Sequence, residues 1–168
     1  MDTIVQTLFN EFSQWYSNLV EQHGRVPKAV SGVSSSGDQF IFILDGLRLD
    51  HVERNNLVIQ ALEEEGAIVF AYASLFASYD EDTDITKEVL AITAGTSEIF
   101  MEGSWSVLRD DDGTPQLQHI KTFSADDPEN YPNSWFLTSS HALSKNEGQR
   151  SSEMWKTLRK DAQFIRQE

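Results

Sequence analysis

The residues with the best claim to chemistry are carboxylates. Asp80-Glu81-Asp82-Thr83-Asp84 sets acids at alternate positions, as a Ca²⁺ loop does when a tight turn aims its oxygens at one centre. Counted from Asp80, however, the sixth position is Ile85, where an EF-hand needs Gly. The twelfth is Ala91, where it needs a bidentate Glu. The run therefore fails as an EF-hand and reads as a solvated acidic connection with at most weak cation binding. Asp110-Asp111-Asp112-Gly113 has a plainer explanation, because Asp-Gly favours the backbone of a hairpin turn. His23, His51, His119 and His141 show neither His-Glu-x-x-His nor His-x-His spacing, so no metalloprotease-like site is expected. Ser139-Ser140-His141 lacks a Gly-x-Ser-x-Gly elbow, and sequence neighbours rarely reach the geometry of a Ser–His pair. Walker and Gly-x-Gly-x-x-Gly phosphate cradles are absent. A glycosidase pair is defined by a separation of roughly 5–9 Å in the fold, and 27 acids give no ground for choosing two. No catalytic residue, cofactor or metal site is therefore nominated.

The acids matter more as a field. The 168 residues carry 27 Asp and Glu against 13 Lys and Arg, a formal charge of −14. Residues 51–130 hold 17 of those acids and four bases, Arg54, Lys87, Arg109 and Lys121, whereas residues 131–168 are slightly basic. Phosphate is repelled by such a surface, which argues against direct binding to nucleic acid or to an anionic membrane. Two readings remain: charge that only keeps the chain soluble, or charge that docks on a basic protein surface. With no Cys, disulfides, thiol nucleophiles and Cys-ligated metals are excluded. No apolar run approaches the about 20 residues of a membrane span, and Met1-Asp2-Thr3 is not the basic start of a signal peptide. A cytoplasmic protein is expected.

Several elements must position these acids. Ile4, Val5, Leu8, Phe9, Phe12, Trp15, Tyr16, Leu19 and Val20 recur at three- and four-residue spacing, which predicts an amphipathic helix over residues 3–23 ending at Gly24. Residues 29–45 read as a hairpin about Ser36-Gly37-Asp38. Asp50-x-x-Glu53 matches a capping box for a second helix that stops at Gly66, with Glu63, Glu64 and Glu65 at the end where the helix dipole disfavours them. Strands follow at 67–77, 88–94, 97–109, with Gly103 as a bulge, and 116–123. Residues 124–133 read as a loop, and Trp135-Phe136-Leu137 as a short edge strand or plug. Residues 146–166 read as a final helix with Met154, Trp155, Leu158, Phe164 and Ile165 on its apolar face.

These elements predict an α+β fold: a mainly antiparallel sheet of about five to six strands, packed against an N-terminal amphipathic helix, a second helix and a C-terminal helix, with the helices on one face. Residues 1–145 are expected to form a single domain, to which the helix or tail at 146–168 also belongs. The element order partly resembles that of roadblock and longin domains, small scaffolds that bind other proteins. The resemblance covers order alone and implies an accessory protein that self-associates, as a homodimer for example.

One geometric expectation links the two acidic runs. If 88–94 and 97–109 pair antiparallel across Gly95-Thr96, their outer ends, and with them both acidic clusters, lie at one end of the sheet. The leading functional expectation is a non-enzymatic interaction protein that docks this rim on a basic partner. Its sharpest form is a nucleic-acid mimic that inhibits a nucleic-acid-binding or defence protein. Asp80, Asp82, Asp84, Asp110, Asp111 and Asp112 are the expected contacts, with Trp135 and Phe136 as apolar anchors. The other two alternatives are a self-associating scaffold and a domain binding a small molecule or cation.

Overall fold

The structure is a computed structural model that describes residues 3–96, 99–124 and 145–166. Helix α1 (Thr3–His23) buries Val5, Phe9, Phe12, Tyr16 and Val20 along one stripe, as its periodicity predicts. Each such side chain contributes roughly 1.5–3 kcal/mol when fully removed from water. At its end Gly24 takes φ +70° and donates its N–H to Val20 O at 2.7 Å, the left-handed closure that glycine makes without strain. Strands β1 (Ala29–Ser34) and β2 (Asp38–Ile43) form the expected hairpin. Helix α2 (His51–Glu64) starts on the capping box: Glu53 N–H donates to Asp50 Oδ1 at 2.8 Å, and Asp50 N–H to Glu53 Oε2 at 3.2 Å.

Strands β3 (Ala67–Asp80), β4 (Ile85–Gly95), β5 (Phe100–Arg109) and β6 (Pro115–Ser124) follow as an antiparallel meander. Helix α3 (Lys145–Leu158) and strand β7 (Gln163–Arg166) complete the described chain. The sheet has seven strands in the order β6-β5-β4-β3-β1-β2-β7.

Three expectations are corrected. The helices cover both faces of the sheet. Ala71 and Ala73 of β3 pack with α1, Leu90, Ile92 and Met101, while the alternating Phe70 packs with Val30, Phe40, Phe42, Leu57 of α2 and Trp155 of α3. Period-two alternation sends these neighbours to opposite faces, and both faces of β3 are apolar there, so each has a cover. Second, α3 stops at Leu158. Residues 163–166 pair with β2, from Asp38↔Arg166 to Ile41↔Gln163, which adds a seventh strand. Third, Gly103 is not itself the bulge. The register of β5 and β6 shifts between Ser104 and Trp105. A Cβ at Gly103 would meet Phe9 Cζ at 2.7 Å and Trp105 Cη2 at 2.7 Å, so its bare backbone is what lets α1 seat against β5.

The acids at the end of α2 also find a purpose. Glu65 accepts from Trp155 Nε1 at 3.0 Å and from Arg159 Nε at 2.6 Å, and Glu64 accepts from the Ser152 hydroxyl. Arg150 reaches Glu53 at 2.8 Å. Just beyond α3, Arg159 thus offsets the Glu65 charge that the α2 dipole disfavours, neutral donors from Ser152 and Trp155 satisfy further oxygens of Glu64 and Glu65, and Trp155 is completely buried against Phe42.

Candidate functional site

The hairpin geometry brings the two acidic runs together. Asp80↔Ile85 closes the β3–β4 hairpin and Arg109↔Pro115 closes the β5–β6 hairpin. Strands β4 and β5 run from Glu88↔Val107 to Gly95↔Phe100, so their connection lies at the far end. Loops 81–84 and 110–114 therefore leave the sheet side by side, roughly 10 Å apart at two strand spacings. That separation is comparable with the Debye length at physiological salt, about 8 Å, so the loops present a shared potential.

Within the rim the carboxylates divide into two kinds. Some hold the loops in shape. Asp80 Oδ1 accepts from Asp82 N–H at 3.0 Å, and bonding to the Thr83 hydroxyl and to backbone N–H groups keeps its carboxyl below the usual range. Asp110 Oδ1 accepts from Asp112 N–H at 3.0 Å and Thr114 N–H at 2.8 Å, the self-bonded turn that Asp favours. Asp84 adopts φ +53° and accepts from the Tyr79 hydroxyl at 2.5 Å, which raises the affinity of that phenol for its proton. By contrast, the side chains of Glu81, Asp82, Asp111 and Asp112 have no hydrogen-bond or ion-pair partner among the described residues, and all four residues are exposed. Of the six nominated aspartates, then, Asp80, Asp84 and Asp110 build the loops, while Asp82, Asp111 and Asp112 face solvent. Glu81 joins the outward set.

Arg109 is the residue that sequence reasoning passed over. Its Nε and Nη2 donate to the two Glu88 oxygens at 2.6 and 3.0 Å, and Nη2 also reaches Gly24 O at 2.7 Å. One guanidinium ties β4, β5 and the C-terminal end of α1, where the helix dipole is negative. The fork hydrogen-bonded to Glu88 holds that carboxyl below its ordinary value. The available signal was position: Arg109 is one of four bases among 17 acids and directly precedes Asp110.

Trp135 and Phe136 lie outside the described residues. For the cation alternative, no group of three His, Asp or Glu side chains among the described residues is placed to hold a metal ion. For the small-molecule alternative, a cleft of about 570 Å³ opens beside the end of α1, lined by Leu19, His23, Arg25, Val26, Pro27 and Asp45. Among the described residues no helix is long and apolar enough to cross a membrane. Set against models of protein families, curated proteins and solved structures, the chain finds no match. The resemblance in element order to roadblock and longin domains draws no support from these comparisons.

Proposed function

We propose that this chain is a non-enzymatic binding protein that acts in the cytoplasm by docking its acidic sheet end on a basic protein surface. The carrying observation is the side-by-side exit of loops 81–84 and 110–114, with Glu81, Asp82, Asp111 and Asp112 directed to solvent on a scaffold that Asp80 and Asp110 hold by backbone bonds. Unpaired, fixed charges of one sign steer a partner of opposite sign and raise its encounter rate. The sharpest form of the proposal is a mimic of a nucleic-acid backbone that inhibits a nucleic-acid-binding protein, whose groove is basic by necessity. The test is capture from host lysate by the whole protein and by a variant carrying Glu81→Gln, Asp82→Asn, Asp111→Asn and Asp112→Asn. A basic protein retained at low salt by the parent alone, and released at high salt, supports the proposal. Equal retention by both proteins, or recovery of nothing but the chain itself, overturns it.

The cleft beside α1 favours a second reading, a small-molecule site where His23, Arg25 and Asp45 meet an apolar wall. A melting-temperature screen against metabolite classes tests it: a shift that His23→Ala abolishes supports the reading, and no shift in any class removes it.

A further inference from the structure

Strand β3 outruns its neighbour. Strand β1 pairs with it from Ser34↔Ala67 only as far as Ala29↔Ala73, and Pro27, which has no N–H to donate to a ladder, lies two residues before the start of β1. On the other side β4 follows β3 all the way to Asp80↔Ile85. From Ser74 to Asp80, β3 is therefore an edge strand in the interior of the sheet order. Its outward N–H and C=O groups have no backbone partner among the described residues. At about 3.3 Å per residue the open edge spans roughly 23 Å. Phe76 and Tyr79 along it are 45% and 58% exposed.

Sheet edges are ordinarily blunted against unwanted pairing, and the other two edges here show how. Strand β6 carries Pro115, Lys121 and a register shift, and β7 is four residues long. The stretch Ser74-Leu75-Phe76-Ala77-Ser78-Tyr79-Asp80 has no Pro, no Lys and no shift in its pairing with β4. It ends at loop 81–84, whose Glu81 and Asp82 carboxylates are exposed and have no partner among the described residues.

We propose that the open edge of β3, Ser74–Asp80, receives an extended basic segment of a partner protein as an added β-strand, with the partner's Lys or Arg residues set against loop 81–84. The inference rests on the acidic-rim reading and gives its partner a conformation. Backbone pairing supplies affinity in strand addition, and side chains on the two faces supply choice. Here Tyr79 and Phe76 offer apolar contact on opposite faces, and the acids at one end favour a cationic chain. Charge also argues against a second copy as the occupant, since each molecule carries −14.

The experiment uses the full chain and an end-blocked nonapeptide that alternates Lys with Val and Thr. Two controls have the same charge but carry N-methyl groups on the odd or on the even backbone amides. Each control removes the hydrogen bonds of one peptide edge. The expected result is binding of the parent peptide, a loss of roughly tenfold or more with one of the two methylated peptides, and slowed hydrogen exchange at alternate amides of 74–80. Equal binding of all three peptides, with no protection at 74–80, overturns strand addition while leaving the acidic-rim reading standing. Unchanged binding and protection in the Glu81→Gln, Asp82→Asn, Asp111→Asn, Asp112→Asn variant supports the edge but removes the role of charge. Failure of every peptide overturns both, and concentration-dependent protection of 74–80 without peptide assigns the edge to a second copy.

Discussion

Replacing Arg109 tests the construction of the acidic end without touching its outward carboxylates. The Arg109 and Glu88 side chains are 34% and 35% exposed, so their ion pair is partly screened. Exposed pairs are worth about 0.2–1 kcal/mol, and two-point contact places this one near the top of that range. Arg109→Met also strips the donor from Gly24 O at the end of α1, a further cost of about 1 kcal/mol. The expected loss is about 1.5–2 kcal/mol, or roughly 3–8 °C in melting temperature for a chain of this size. Glu88→Gln alone should cost about 0.5–1 kcal/mol, and the double variant should show a coupling of about 0.5–1 kcal/mol in urea unfolding. The sign with pH follows from Glu88, whose carboxyl in the fold lies below its ordinary 4.5. Stability from this lowered carboxyl is full above the ordinary value and falls as pH drops through the lowered one. The coupling should therefore be constant at neutral pH and shrink on acidification, once pH falls below the ordinary carboxyl range and through the lowered value. A loss under about 0.5 kcal/mol for Arg109→Met, or no measurable coupling with Glu88 at neutral pH, would refute the assignment of Arg109 as the tie.

Other substitutions probe the scaffold that aims the rim. Gly103→Ala forces a methyl against Phe9 and Trp105 and should cost about 1–3 kcal/mol by thermal unfolding; a neutral result would show that α1 can withdraw from β5 freely. Trp155→Ala removes a buried ring and its bond to Glu65, so a loss of about 3–5 kcal/mol is expected in denaturant melts, and a loss below about 1 kcal/mol would mean that α3 is not docked. Asp50→Ala breaks the capping box at about 1 kcal/mol, whereas Asp50→Ser should restore most of that. Asp82→Asn and Asp111→Asn, which break no side-chain bond among the described residues, should each leave unfolding free energy within about 0.5 kcal/mol.

The local sequence carried much of this architecture. The α1 stripe from Val5 to Val20, the Asp50–Glu53 cap and the Asp-Gly turn at 112–113 are short-range signals, and each sits where its physics requires. The shared end of the two acidic loops was also legible, since the one reversal between 84 and 110, just after Gly95, returns the chain to the end it left. What depended on long-range pairing was hidden. Neither the adjacency of β1 and β3 nor their unequal lengths is written in either segment, so the open edge at 74–80 left no local trace. The split cover of the sheet was hidden because Phe70 and Ala71 are both apolar, and the choice of partner belongs to α1 and to α3. The same holds for Glu64 and Glu65, which read as surface charge until Ser152, Trp155 and Arg159 meet them from 88 to 94 residues away. Residues 163–166 were absorbed into the preceding helix because Phe164 and Ile165 fit its period, whereas their backbone pairs with β2.

The central claim is that charge at one end of the sheet guides a basic partner, and association kinetics test it most directly. With the partner recovered by capture, the on-rate is measured by stopped flow as ionic strength rises, for the parent and for the variant with Glu81, Asp82, Asp111 and Asp112 neutralised. The account predicts an on-rate for the parent that falls roughly tenfold or more between low and physiological-to-high salt, and a much flatter dependence for the variant. Identical salt dependence for the two proteins would contradict it, because the steering field would then lie elsewhere on the molecule.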